Sequence, residues 1–330
     1  MPIRSEPPLV SPPTPVPTLD ELEIEGNVGK IAPDKLRWMP SFPADTPAEV
    51  LRNEFETNGV VHVKGVIPRE YFETMAETGI LKEGTDPTLG IFCGGNPTDF
   101  VSADTAKYVD DNPVAKRHIA LVFEAVQSDW AKAFCENEHI LNFVHKFKPD
   151  WAEPFCFKRQ IWRSNIPNSE GSTTGVHYDH IFLRGGPPIA LTAWVPVGDV
   201  HPLQGGLIYL EDSIPVARKI EDGFTAQGRA KGFGKEDALS AFNSNMGVAG
   251  MLSRDAGEFQ AQYAEGRRWM VANYEAGDVV FHHSFSIHAS TTNRDPDGVI
   301  RLSADLRYAD REHPYDDRWD RAPYHAGDGL

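Results

Sequence analysis

Apolar and polar positions change their spacing near residue 154. Upstream of it, apolar residues recur at helical intervals. Thr46-Pro47-Ala48-Glu49 reads as a capping box with Pro at the first helical position, opening a helix that carries Val50, Leu51 and Phe55 and stops at Gly59. Val60-Val61-His62-Val63 predicts a strand, and Pro68 opens a second helix with Tyr71, Phe72 and Met75 that ends at Gly79. From Asn112-Pro113 onward, Ile119, Val122, Phe123, Val126, Trp130 and Phe134 form a stripe suited to bracing one face of a sheet. Repeated prolines from Pro7 to Pro17 make residues 1–20 a tail with an extended path, and ordered structure is expected from about Thr46.

Downstream, the pattern becomes that of strands. Candidates are Phe155 to Arg163, Val176 to Leu183, Ile189 to Val197, Gly206 to Leu210, Trp269 to Tyr274, Asp278 to His283 and Val299 to Tyr308, divided by Gly, Pro, Asn and Asp clusters. Few helices separate them, so an antiparallel barrel or sandwich is expected. The exception is the charged, Ala-rich stretch at about 213–268, which reads as a helical insertion and a candidate lid. Residues 21–330 are expected to form a single domain, mainly β with flanking helices.

Composition narrows the function. Hydrophobic residues at 40% and charged residues at 24% fit a globular chain with a sizeable core. A net charge of −16 argues against a duplex nucleic-acid binder, which needs a basic surface. No apolar run approaches the roughly 18 residues that span a bilayer, and the proline-rich start lacks the pattern of a signal peptide. A cytoplasmic location is the expectation. Cys93, Cys135 and Cys156 are odd in number and lack paired spacing, so all three read as buried, inert thiols.

Candidate chemistry lies among the histidines. His177-Tyr178-Asp179 sits in a segment that reads as a strand, where alternation points residues 177 and 179 to one face, close enough to share a metal ion. The triplet alone is a weak signal: with 48 acids and 12 histidines, roughly two such triplets arise by chance. A third ligand must come from afar, and His288 is the best candidate, with His282 and His283 as alternatives. Two imidazoles and one carboxylate on one face of a metal leave the other face open, as in non-haem iron(II) oxygenases. Ligand type alone leaves zinc open. Arg301 favours iron: alternation aims it inward, where a guanidinium needs a carboxylate, and the remote carboxylate of 2-oxoglutarate supplies one. Thr192 and Ser290 are candidate donors to the same cosubstrate. Asp305 or Glu275 is the alternative partner of Arg301. For the substrate, Arg184 and Arg159 are candidates to meet a phenolate or carboxylate, and Phe182 to line an aromatic pocket, against the plainer reading of salt bridges and ordinary core.

With these residues placed, the chain resembles the phytanoyl-CoA dioxygenase-like family of Fe(II)/2-oxoglutarate oxygenases. The resemblance is carried by His177-Tyr178-Asp179, Leu191-Thr192-Ala193-Trp194-Val195-Pro196, Gly206-Leu207, Gly277-Asp278-Val279-Val280-Phe281-His282-His283, Ile287-His288-Ala289-Ser290 and Arg301. It implies a double-stranded β-helix, a jelly-roll or cupin-like barrel braced by N-terminal helices. It further implies that His177, Asp179 and His288 bind iron, that Arg301 holds 2-oxoglutarate with Trp194 and Ser290 bordering it, and that O₂ is the oxidant. Halogenating relatives lack the carboxylate, so Asp179 favours oxygen transfer. Within the family the chain is similar to fungal secondary-metabolite oxygenases of the citrinin and tropolone pathways, which implies hydroxylation of a methyl group on a small aromatic polyketide, with or without ring expansion. A cupin-type binding module, metal-free or holding zinc, and a protein-modifying oxygenase are the rival expectations. Sequence leaves the oligomeric state open.

Overall fold

A computed structural model describes residues 18–71, 129–169, 172–234, 250–296 and 301–321. In chain order its elements are β1 (Leu36–Trp38), β2 (Ser41–Pro43), α1 (Ala48–Asn58), β3 (Val60–Lys64), α2 (Asp129–Cys135), α3 (Glu138–Phe147), β4 (Pro154–Cys156), β5 (Ile161–Asn165), β6 (Leu191–Pro196), β7 (Leu207–Leu210), α4 (Ile214–Ala230), α5 (Ala256–Tyr263), β8 (Trp269–Val271), β9 (Val279–His283), β10 (His288–Ser290), β11 (Arg301–Asp310) and α6 (Arg318–Arg321).

The strands build two sheets. The larger runs β2-β3-β9-β6-β11-β4, with β5 also paired to β11, and the smaller runs β1-β8-β7-β10. All pairings are antiparallel except β1 with β8 and β2 with β3. The arrangement is that of a jelly roll whose two sheets are open and mixed rather than closed into a barrel. Strand alternation sorts the faces. On β11, Leu302, Ala304, Leu306 and Tyr308 join the apolar layer beneath the helices, while Arg301, Ser303, Asp305 and Arg307 are buried at the intervening positions. Between the sheets lies a second layer that includes Trp194, Tyr209, Met270 and Tyr274.

Aromatic packing fixes the helices on the large sheet. Phe143 of α3 stacks on Phe281 of β9 with ring centroids 4.8 Å apart, and Phe147 meets Phe55 of α1 edge-on at 5.2 Å. Gly59 ends α1 in the left-handed conformation at φ 73°, and its N–H bonds the Phe55 carbonyl at 2.7 Å. A side chain is excluded there, since a Cβ would lie 2.6 Å from Ser286 Oγ. Helix α3 starts on Asn137, whose side chain accepts from the His139 and Ile140 N–H groups.

Several expectations need correction. Thr46 and Glu49 form no capping box; Pro47 is the N-cap of α1, without a side-chain bond. Ordered packing starts well before Thr46: Leu22, Ile24, Ile31 and Leu36 are buried in the layer outside the small sheet, and β1 runs beside β8. The Phe155–Arg163 strand is broken into β4 and β5. Val176–Leu183 is not a strand: Val176 and His177 make isolated bridges, and a 3-10 helix follows over Asp179–Ile181. Cys135 is buried as expected, whereas Cys156 is only half-buried. The insertion contains α4 and α5, with residues 235–249 outside the described set. The tail to residue 17, the helix after Tyr71, the stripe from Ile119 to Val126 and Cys93 also lie outside it. No described helix is long and apolar enough to cross a membrane.

Because Phe143 is remote from the polar face of the sheets, Phe143→Ala should cost about 3–5 kcal/mol of unfolding free energy in urea while Co(II) affinity of the folded protein stays within twofold.

Candidate metal centre

Backbone pairing sets two imidazoles face to face. His177 and His288 exchange N–H to carbonyl hydrogen bonds, both 2.9 Å, across an isolated antiparallel bridge, and their rings lie 4.2 Å apart. Each ring is oriented by its own neighbour two residues earlier. His177 Nδ1–H donates to the Gly175 carbonyl at 2.9 Å, and His288 Nδ1–H to the Ser286 carbonyl at 2.9 Å. That choice of tautomer leaves both Nε2 lone pairs free. Burial pulls the His177 pKa down to about 4 and that of His288 well below the ordinary value, the latter helped by the neighbouring His177 and His282. Both are neutral, as metal ligation requires.

Asp179 completes the group. Tyr178 is extended, so residues 177 and 179 share a side even though the backbone then turns into a 3-10 helix; only this first step of the expected alternation survives. Burial pushes the Asp179 pKa up, but the Arg307 guanidinium and His282 outweigh it and hold the carboxyl well below its usual range. One ligand atom from each of His177, Asp179 and His288 lies within 4.8 Å of the others, and all three residues are buried. Two neutral imidazole nitrogens and one carboxylate oxygen fit a divalent first-row metal with open positions.

Arg301, buried at the start of the strand that carries Arg307, forms no ion pair with a described carboxylate. Its Nε donates to the Gly205 carbonyl at 2.9 Å and Nη1 to Ser303 Oγ at 2.7 Å. The alternative partners are taken: Asp305 pairs with Arg163 at 2.7 Å and Glu275 with Lys64 at 3.1 Å. Burial pulls the Arg301 pKa down to about 10, outweighing the opposing charge of Asp305, which is ion-paired to Arg163. The Trp194 ring lies 5.9 Å from the Arg301 guanidinium carbon, and the buried indole N–H has no acceptor among the described residues. A carboxylate placed here satisfies both, which fits 2-oxoglutarate.

Other expected residues are engaged differently. The Thr192 hydroxyl donates to Asp179 Oδ2 at 2.5 Å instead of facing a cosubstrate. Ser290 Oγ accepts from the Thr174 N–H at 2.6 Å. Arg184 is clamped on Glu221 of α4, Nε to Oε1 at 2.6 Å and Nη2 to Oε2 at 2.7 Å, and the Tyr178 hydroxyl donates to the same carboxylate at 2.6 Å. This is a tether between the ligand-bearing segment and α4, the plainer of the two sequence readings. Arg159 is buried over the face of Trp319 at 4.9 Å. Phe182 sets its edge toward the His177 ring at 6.2 Å. His283 stacks on Phe285, and His282 lies against Asp179 at 3.2 Å as a partner of the carboxylate.

Sequence reading missed Arg307. Its Nη2 donates to Asp179 Oδ1 at 2.9 Å and its Nε to Oδ2 at 3.3 Å. The signal was present in Arg301-x-Ser303-x-Asp305-x-Arg307, where polar and charged residues occupy every second position of a strand otherwise apolar.

The family described as phytanoyl-CoA dioxygenase (PhyH) matches residues 55–301. No curated protein matches the chain. Among solved structures, the chain is similar to the epimerase SnoN in complex with Fe3+, alpha ketoglutarate and nogalamycin RO, at 18% identity over 86% of this chain and 93% of that one, with a TM-score of 0.47. The non-haem alpha ketoglutarate dependent carbocyclase SnoK shows 15% identity over 82% and 87%, with a TM-score of 0.46. The non-haem monooxygenase ThoJ shows 16% over 79% and 77%, with a TM-score of 0.46.

Removing Glu221 takes the paired carboxylate away from a mostly buried guanidinium and from the Tyr178 hydroxyl. Glu221→Ala should therefore lose about 3–5 kcal/mol in urea unfolding, whereas breaking an exposed pair such as Arg321 with Asp317 should leave the unfolding midpoint nearly unchanged.

Proposed function

The chain belongs to the phytanoyl-CoA dioxygenase family, a class of 2-oxoglutarate-dependent non-haem iron enzymes, and from that premise we propose that it hydroxylates a C–H bond, preferentially of a methyl group, on a small aromatic polyketide. The observation that carries the reading is the meeting of three buried metal-ligand atoms, together with a buried arginine on the strand that holds the carboxylate ligand, which forms no ion pair with a described carboxylate. His177 and His288 would hold the iron through Nε2 and Asp179 through its carboxylate, and Arg301 with the Trp194 N–H would receive the far carboxylate of 2-oxoglutarate. The iron, with 2-oxoglutarate and O₂, supplies the oxidant that removes hydrogen from carbon. In the overall balance the substrate gains one oxygen atom, and 2-oxoglutarate takes the other as it becomes succinate and CO₂.

The residues of this chain supply placement and dryness. The rings around the triad, Phe182 against His177 and Tyr209 against His288 at 5.5 Å, give the centre apolar walls. An apolar, aromatic surround suits a flat aromatic substrate and keeps water from consuming the oxidant. Resemblance to oxygenases of the citrinin and tropolone pathways supports a methyl group as the point of attack, and a ring-expanding outcome is the variant of that reaction.

Anaerobic titration of the Fe(II)-loaded protein with 2-oxoglutarate should develop the weak visible charge-transfer band of the chelate, and Arg301→Ala should weaken 2-oxoglutarate binding by about tenfold or more. Absence of the band in the intact protein, or an unchanged affinity in the variant, contradicts the assignment. Succinate release stimulated by small aromatic polyketides, and not by basic peptides, tests the substrate class.

A further inference from the structure

Asp179 is held by a row of side chains that crosses three strands. In register, Thr192 of β6 lies opposite His282 of β9 on one side and Arg307 of β11 on the other. All three reach the same carboxylate, and they do so unequally. Oδ2 meets the Thr192 hydroxyl at 2.5 Å, His282 Nε2 at 3.2 Å and Arg307 Nε at 3.3 Å, whereas Oδ1, among the described residues, meets only Arg307 Nη2 at 2.9 Å. His282 Nε2 faces a carboxylate oxygen, which only accepts, so Nε2 carries the hydrogen, and Nδ1 is left to accept from the Tyr209 hydroxyl 3.1 Å away. A carboxylate oxygen offers about two lone-pair directions. Oδ2 is saturated, and Oδ1 keeps one direction open.

We propose that Arg307, Thr192 and His282 are positioning residues that make Asp179 a single-oxygen ligand through Oδ1, and that Trp319 of α6 locks Arg307 in that role. The Trp319 ring lies 4.7 Å from the Arg307 guanidinium carbon and is itself buried, and its indole N–H donates to the Phe182 carbonyl at 3.1 Å. The same ring therefore ties the end of the ligand-bearing segment to the strand that grips the ligand. Both Arg307 and Trp319 lie beyond residue 301, where the family match ends. The C-terminal segment thus finishes a centre whose metal-ligand candidates all lie within the matched region. A carboxylate held at both oxygens cannot swing to chelate through two, so a coordination position that bidentate binding would occupy stays available.

This inference rests on the reading of Asp179 as a metal ligand. Its test is Co(II) binding to the full-length protein, followed by the ligand-field absorption of the ion, with far-ultraviolet circular dichroism to confirm folding. Arg307→Met should weaken Co(II) binding by about 10- to 100-fold and change the intensity of the band, because the freed carboxylate adopts another mode of coordination. Arg307→Lys, with the charge but not the fork, should recover part of the affinity and not the spectrum. Trp319→Leu should shift both readouts in the same direction by less. Arg307→Met with affinity within twofold of the parent and the same spectrum overturns the proposal. If that variant does not fold, Thr192→Val, which removes one donor to Oδ2 at nearly constant shape, decides it by the same spectral criterion. A parent protein that binds no Co(II) overturns the metal-ligand reading itself, whereas binding that ignores the variants overturns only this proposal.

Discussion

Asp179 is an ionised carboxylate with 1% of its surface exposed, and an uncompensated charge in such a place costs on the order of several kcal/mol. The surrounding polar structure is the compensation. Arg307 supplies the opposite charge at 2.9 Å, with Thr192 and His282 adding hydrogen bonds from adjacent strands. The Asp179 charge in turn raises the pKa of Arg307 above the ordinary arginine value, although burial works against it. Neither ion is at home in the interior without the other. The pair therefore specifies the mutual position of the 3-10 turn after Tyr178 and the strand β11.

That constraint explains why the sheet order matters for chemistry. β9, β6 and β11 are adjacent in the large sheet though they are far apart in the chain, and their inward positions form a polar strip within an otherwise apolar layer. At one end of the strip, Arg307 holds the acid that completes the group of three candidate metal ligands. At the other, Arg301 keeps a charge unmatched among the described residues. Between them, Asp305 is neutralised by Arg163. One strand thus carries a cation ion-paired to Asp179 and a second cation with no ion pair among the described residues, which fits a dicarboxylate. The small sheet supplies His288 at β10, and the bridge from His288 to His177 closes the site from the opposite side.

Much of the site was legible in the sequence, because its residue types are restricted by chemistry. His177 with Asp179, a distant His288 and an inward Arg301 follow from ligand preference and strand alternation. What escaped has physical reasons. The turn at Asp179 breaks a segment whose apolar spacing is that of a strand, and the break is set by tertiary partners such as Ser284, whose carbonyl takes the His180 N–H at 2.8 Å. Strands β1 and β2 are three residues each, too short for any period to register. The Arg307 to Asp179 pair depends on which strands become neighbours, and with 48 acids in the chain no local pattern selects the partner. Arg184 shows the reverse case: its position next to the ligands suggested a substrate contact, but a helix distant in sequence brought Glu221 to it.

The proposed chemistry requires one metal ion held by two imidazoles and one carboxylate oxygen. Anomalous diffraction at the iron edge, from crystals grown anaerobically with Fe(II), tests this most directly. A single strong peak within bonding distance of His177 Nε2, His288 Nε2 and Asp179 Oδ1 is the predicted result. A peak at other side chains, or none between these three in a fully loaded protein, contradicts it.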